Sequence, residues 1–227
     1  MRLFQEKTFY FRLLKVFALS IVTLVIVVAI AIGSPTTIVA PLDPIDPITV
    51  YVTDFGYHSR LILPTRQGEL LQYAYGDWDY FALNRQNWNN TMPTASFAIA
   101  ALFVPTQGTL GRRKFKDLVE LQQSLGLGWQ NMLMSLEVPR NRVLSLEKSL
   151  DMRFNQNLNT RVFNPYIGLT FVFDDQNYTM LHNSNHELIS WLENLGCQIR
   201  GFRTLPNFQL QDSNKIPKRL GARSHLK

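Results

Sequence analysis

Cysteine is almost absent from this sequence of 227 residues, and the single one, Cys197, cannot form a disulfide within the chain. Small exported domains that have a weak core are usually held together by several disulfides. A stable fold without them has to rest on buried apolar side chains. Cys197 follows a Leu-Gly pair at an expected helix end, and we interpret it as a buried structural residue.

Charged residues are also scarce, at 18% of the chain, and the net charge of +6 comes from the two ends. Residues 1–15 hold four bases and one acid, and residues 215–227 hold five bases and no acid. The part between them holds slightly more acids than bases, which leaves no basic face for nucleic acid. Glycine-rich phosphate loops and a Gly-x-Ser-x-Gly turn are missing as well. We therefore expect neither a nucleic-acid partner nor a cofactor.

One long apolar run lies between Val16 and Gly33 and contains no charge. As a helix it covers about 27 Å, close to the thickness of a bilayer core of about 30 Å. Bases precede the run and acids follow it, which indicates a cytoplasmic N-terminus. We predict a basic cytoplasmic segment (1–15), one transmembrane helix in the lipid bilayer (16–34) and a domain that faces away from the cytoplasm. The alternative is a cleaved signal peptide with a small-residue site at Ala29–Ala31.

Three further segments follow the apolar run. Four prolines in residues 35–47 predict an extended spacer without regular structure. Residues 48–205 are numerous enough for one domain with its own core. Residues 206–227 are interpreted as a basic, disordered tail.

Within the domain, β-branched and alternating patterns predict an α+β fold with a mainly antiparallel sheet. The predicted strands are Ile48–Val52, His58–Leu63, Gln72–Tyr75, Thr109–Lys116, Met132–Val138 and a hairpin of Gly168–Phe173 with Asn177–Leu181. The predicted helices are Asp77–Trp88, Pro139–Phe154 and a helix from Ser184 to Gly196 that opens with a capping box of Ser184 and Glu187. The apolar stretch Ser96–Val104 fits either a helix or a strand.

Three motifs near the start of the domain resemble those of a known family. They are the strand Val50–Val52, the segment Gly56–Pro64 (GYHSRLILP) and the segment Tyr75–Phe81 (YGDWDYF). The family consists of uncharacterised exported bacterial proteins, conserved hypothetical proteins of which some are encoded beside urease genes. Its members have Gly-Trp-His-Thr-Gly after a strand, then Trp-Gly-Asp, and near the C-terminus Cys-Asn-Thr-Trp at the start of a helix. The family is similar to a circularly permuted branch of the papain-like NlpC/P60 fold.

The resemblance implies a catalytic site assembled from distant segments. It places the family's histidine at His58, its acidic turn at Asp77 and its nucleophile at Ser184, where the family has cysteine. In this interpretation His58 is the general base, Asp77 orients it, and the backbone N–H of Ser184 serves a developing oxyanion. The residues implied to line the cleft are Tyr57, Tyr75, Gly76, Trp78 and Asn185.

The change from cysteine to Ser184 leaves two functions open. A cysteine at a helix N-terminus beside a histidine has a lowered pKa and is largely thiolate, whereas a serine hydroxyl needs a well-aligned base. We favour a non-catalytic or weakly active module that binds a cell-wall peptide or a lipid-derived ligand. The alternative is a hydrolase or acyltransferase that acts on amide or ester bonds through Ser184 and His58.

Structural roles compete with these catalytic ones. Ser184 fits a helix N-cap, His58 fits a structural histidine on an alternating strand, and Asp77 fits the N-cap of the following helix. His182 and His186 have the i, i+4 spacing of zinc ligands. Because His182 precedes the expected helix and no third ligand is evident, no metal site is predicted.

Overall fold

The computed structural model describes residues 15–27, 34–55, 58–84, 104–179, 181–201 and 207–211. Its strands are β1 (Thr36–Val39), β2 (Pro47–Asp54), β3 (Ser59–Pro64), β4 (Leu70–Asp77), β5 (Gly108–Phe115), β6 (Leu133–Pro139), β7 (Val162–Asn164), β8 (Leu169–Phe173), β9 (Gln198–Arg200) and β10 (Phe208–Leu210). Seven of them form the main sheet in the order β6-β2-β3-β4-β5-β8-β7, with antiparallel neighbours throughout. A small second sheet has the order β10-β1-β9, in which β1 and β10 are parallel. The predicted α+β class with a mainly antiparallel sheet is confirmed.

Three helices accompany the sheets in the described part of the domain. They are α1 (Leu118–Leu125), α2 (Arg140–Gln156) and α3 (Ser184–Asn194), with a π-helical turn at Trp78–Ala82 and 3-10 turns at Trp129–Asn131 and Leu158–Thr160. In α2 the buried residues recur every three or four positions, at Val143, Leu146, Leu150 and Phe154. This spacing gives the helix one apolar stripe, which packs on the sheet.

Side-chain alternation along β4 divides the core between the two faces of the main sheet. Leu71, Tyr73 and Tyr75 belong to the large cluster that includes the buried residues of α2 and α3. Ala74 belongs instead to a cluster with Phe81, Leu169 and Phe171, and Leu70 packs with Phe115 and with Leu121 of α1. Helices α2 and α3 therefore cover one face, and smaller aromatic clusters cover the other.

Most predicted elements are confirmed within one to three residues, but the hairpin of Gly168–Phe173 with Asn177–Leu181 is wrong. Strand β8 pairs with β5 on one side and with β7 on the other. Between β8 and α3, the described residues show only isolated bridges, from Tyr178 to Thr106 and from Thr179 to His182. The reason is Asp174, whose carboxylate accepts from the N–H of Gln176 and pairs with an arginine of α2. These contacts turn the chain out of the sheet.

The predicted helix Asp77–Trp88 is replaced, as far as the structure describes it, by the single π-helical turn Trp78–Ala82. Asn84 has a positive φ of 51°, a conformation that a continuing right-handed helix cannot contain. Residues 85–88 and most of the stretch Ser96–Val104 lie outside the described residues.

The predicted transmembrane helix is not supported. In its place the structure describes a helix over residues 15–27. Among the described residues, no helix is long and apolar enough to cross a membrane.

The stretch expected to be a spacer contains strand β1, which packs into the domain. Thr36 and Ile38 are fully buried, and Ile38 belongs to the main core. The expected tail likewise contributes β10, which pairs with β1 from Phe208 to Leu210. Residues from both ends of the chain therefore meet in one small sheet.

Candidate functional site

His58 lies immediately before β3 and packs among aromatic rings. Its imidazole is edge-on to Phe81, with ring centroids 4.3 Å apart, and its centroid is 5.9 Å from that of Tyr80. Nδ1 of His58 is buried and has no hydrogen-bond partner. Burial, with a smaller contribution from the positive charge of Arg60, lowers the pKa of His58 to about 4. The imidazole is therefore neutral near pH 7, but no described hydrogen bond orients it as a base.

Gly76 explains why the Phe81 ring can lie beside His58. A Cβ atom at Gly76 would overlap this ring, so only glycine leaves the space that it occupies. Phe81 in turn packs with Ala74 and Phe171 on the face of the sheet away from α3. The position of Gly76 in the sequence motif thus has a packing reason.

Asp77 ends β4 and caps the π-helical turn. Its Oδ1 accepts a hydrogen bond from the N–H of Tyr80 at 2.8 Å, and its Oδ2 accepts one from the hydroxyl of Thr106 at 2.5 Å. Both oxygens hold backbone segments together, and no described hydrogen bond joins Asp77 to His58. The alternative role of Asp77 as an N-cap is confirmed.

Helix α3 begins at Ser184, but its N-cap is Asn183. Oδ1 of Asn183 accepts hydrogen bonds from the N–H groups of Asn185, at 3.0 Å, and His186, at 3.3 Å. The predicted capping box is therefore wrong by one residue. The N–H of Glu187, which the Ser184 hydroxyl was expected to bind, donates instead to the backbone oxygen of Asn183 at 3.1 Å. Ser184 is the first helical residue and is only 5% exposed.

The described geometry does not bring Ser184 and His58 together. Helix α3 packs through Leu188 and Leu192 on the sheet face that carries Tyr73 and Tyr75. His58 contacts rings that belong to the opposite face. No hydrogen bond joins the two residues, and the expected chain of nucleophile, base and orienting acid is not assembled.

No protein-family model matches this chain, and no curated protein or solved structure does either. The family resemblance of the sequence motifs stays a prediction.

The residues expected to line a cleft are dispersed. Tyr57 lies outside the described residues. The ring of Trp78 is edge-on to Phe173, with centroids 4.4 Å apart, and Asn185 is buried in the first turn of α3. Tyr75 points to the same face as α3, and its hydroxyl donates to the backbone oxygen of Gln176 at 3.0 Å.

A buried ion-pair network lies beside Tyr75 and joins α2, the end of β8 and α3. Arg153 donates from Nε to Oδ2 of Asp174 at 2.6 Å and from Nη2 to Oδ1 at 2.8 Å. Its Nη1 donates to Oε2 of Glu187 at 3.2 Å. The two acidic side chains are 0% and 5% exposed. Burial by itself would lower the pKa of Arg153, but the two carboxylates outweigh it and raise that pKa above its ordinary value.

The network reaches the N-terminal turn of α3 through Glu187. Oε1 of Glu187 lies 3.2 Å from Nε2 of His182, in an electrostatic contact that lacks hydrogen-bond geometry. The His182 ring is in turn edge-on to Tyr75, with centroids 5.4 Å apart. A carboxylate in the first turn complements the positive end of a helix dipole. The first turn of α3 therefore contains a carboxylate that is paired with Arg153.

Other chemistry finds little support among the described residues. No group of three His, Cys, Asp or Glu side chains there can hold a metal ion, and His182 precedes the helix that carries His186. Cys197 is buried in the main core, and burial raises the pKa of its thiol to about 12. A neutral buried thiol has structural value only.

Sequence reasoning missed Arg153, Asp174 and Glu187 as a unit. Their separations of 21 and 34 residues give no local motif, and each residue alone fits a solvated position. Glu187 was noticed only as part of a capping box. The available signal was an arginine in the last turn of α2 beside the apolar position Phe154, which is too common to identify a network.

Proposed function

We propose that this chain is a non-catalytic binding module that takes a cell-wall or lipid-derived ligand. The observation that carries the proposal is that no described contact joins His58 to Ser184. His58 packs on Phe81, whose cluster lies on the sheet face away from α3, and Ser184 is the first residue of α3. A serine without an aligned base is a poor nucleophile, because its hydroxyl stays protonated near neutral pH.

The start of α3 supports the same conclusion. The amides of Asn185 and His186 are bound by Asn183, and the Glu187 carboxylate occupies the positive end of the helix. The N–H groups of Asn185 and His186 are therefore not free to bind an oxyanion. The hydrolase or acyltransferase alternative has no described contact in its favour.

Active-site labelling tests the absence of catalysis. The purified full chain, exposed to a serine-reactive fluorophosphonate, is expected to show no more label than its Ser184→Ala variant. Label on the Ser184 peptide that is lost in both Ser184→Ala and His58→Ala would overturn the proposal. Thermal unfolding of each variant confirms that the comparison is made between folded proteins.

Co-sedimentation tests the binding role. We expect the chain to be carried down by purified peptidoglycan or by phospholipid vesicles, in a saturable manner. Absence of saturable binding to both materials contradicts the proposed function. The extracytoplasmic location of the domain stays a prediction from the sequence.

A further inference from the structure

A concave notch interrupts the main sheet beside β5. The pairing of β5 with β8 ends at Arg112, which is opposite Thr170, while β5 itself continues to Phe115. The wall of this notch is formed by the segment that runs from the end of α2 through β7 to β8. The resulting cleft has a volume of about 680 Å³. Small-molecule sites in proteins commonly have volumes of roughly 300–1,000 Å³.

The lining of this cleft is strongly basic. It includes Arg112, Arg113 and Lys114 of β5, together with Arg161 from the segment before β7, and none of its lining residues is acidic. Arg112 pairs with Asp151 at 2.6 Å, and Lys114 pairs with Glu69 at 2.6 Å. Neither Arg113 nor Arg161 has a described carboxylate partner. Within the described part of the chain, two guanidinium groups therefore have no counter-charge.

Ring stacking holds two of the arginines in place. The guanidinium carbon of Arg113 lies 4.4 Å from the ring centroid of Phe115, and that of Arg112 lies 4.0 Å from the ring centroid of Phe154. A guanidinium that rests on a ring keeps its in-plane N–H groups available for an anion. Because side chains alternate along a strand, the cations reach the cleft from both sides of β5.

The same cleft has an apolar wall. Phe163 is 61% exposed and Leu158 is 37% exposed, and both line the cleft together with Pro165. Exposed apolar side chains beside fixed cations suit a ligand that combines an anionic group with an apolar one.

We propose that this cleft binds a small molecule that carries a phosphate monoester and an aromatic or aliphatic group. Two guanidinium groups without a described carboxylate partner match the dianionic charge of a phosphate monoester better than the single charge of a carboxylate. The inference rests on the proposed binding function and gives it a ligand class. The lining of the cleft does not include Ser184, so serine labelling leaves the inference unaffected.

Calorimetric titration of the full chain with 1-naphthyl phosphate, at constant ionic strength, tests the assignment. We expect saturable binding that is at least roughly tenfold tighter than that of 1-naphthoate, of 1-naphthol or of inorganic phosphate. Equal affinity for naphthoate overturns the assignment of a phosphate group. Equal affinity for inorganic phosphate overturns the claim that the ligand also carries an apolar group. A short-chain phosphatidate below its micellar concentration, compared with naphthyl phosphate, decides whether the natural source is a lipid headgroup or a soluble ester.

Arginine variants locate the site. Arg113→Gln and Arg161→Gln are each expected to weaken naphthyl phosphate binding by roughly tenfold. Arg200→Gln on β9 makes the same change at an exposed position outside the cleft and should leave the affinity unchanged. Equal weakening by all three variants would mean a diffuse charge effect and would refute the site. Unfolding curves measured without ligand identify any variant that has lost its fold. In that case Arg113→Lys or Arg161→Lys is used at the same position, with a smaller expected loss of affinity.

Discussion

Nε of Arg153 lies 2.6 Å from Oδ2 of Asp174, and this contact ties the last turn of α2 to the end of β8. The same guanidinium reaches Glu187 in the first turn of α3. One side chain thus connects three elements that meet beside Tyr75. Removal of a single member of a buried ion pair is costly, because it leaves an uncompensated charge.

The change Arg153→Met is therefore expected to destabilise the domain strongly. Two carboxylates that are almost inaccessible would lose their counter-charge, and we expect the free energy of unfolding to fall by about 3–5 kcal/mol in urea denaturation. Arg140→Met is the matched control, since Arg140 pairs with Asp46 where both side chains are 45% or more exposed. Its cost should stay within about 1 kcal/mol. Similar costs for the two variants would contradict a central role for Arg153.

Acid should destabilise the protein through His58. Its pKa is about 4 in the folded state, against an ordinary value of 6.5. Between these values the unfolded chain takes up a proton that the folded chain excludes, so the free energy of unfolding falls as pH is lowered from 6.5 to 4. The loss is at most about 3 kcal/mol, and nothing is lost above this window.

Two variants without a titrating group at this position, His58→Gln and His58→Leu, test the pH effect. Urea midpoints measured at several pH values should fall less steeply in both variants than in the unaltered protein between pH 6.5 and 4. Three parallel pH profiles would show that His58 is not the group responsible.

The N-cap of α3 distinguishes Asn183 from Ser184. Asn183→Ala removes the acceptor of two amide hydrogen bonds, and we expect it to lower the free energy of unfolding by about 1–2 kcal/mol. Ser184→Ala should cost about 0.5 kcal/mol or less, because no cap depends on its hydroxyl. Thermal and urea unfolding of both variants give the comparison. A larger cost at Ser184 would restore the capping box that the sequence suggested.

Strand β1 provides a test within the stretch expected to be a spacer. Ile38 is fully buried, whereas Ile45 is 85% exposed. Ile38→Ala should therefore cost about 2–5 kcal/mol of unfolding free energy, and Ile45→Ala should cost close to nothing. Equal stability of the two variants would mean that residues 36–39 do not pack on the domain in solution.

Local patterns predicted the elements whose signals lie within a few residues. The β-branched run after Ile48, the alternation around Tyr73 and the apolar period from Val143 to Phe154 all appear as strands or a helix. Each pattern indicates which side of an element is apolar, and that property depends little on the rest of the fold. The prolines predicted a spacer at residues 36–39, but an extended backbone also suits a strand, and this segment is the central strand of the small sheet.

Local patterns could not predict the candidate site. The family resemblance implied that His58 and Ser184 share one cleft, but the direction in which each side chain points depends on how the strand and the helix pack. The partners of Arg153 were equally hidden, since they lie 21 and 34 residues away.

The sequence by itself determined the class of fold, the positions of most strands and helices, and the reliance on a core without disulfides. Only the tertiary structure decided which distant side chains come together. Arg153 contacts Asp174 and Glu187, His58 packs on Phe81, and Arg113 and Arg161 line one cleft. The physical reason is the separation along the chain over which each kind of interaction acts. Apolar periodicity acts within one element, whereas ion pairs and clefts form where distant elements pack.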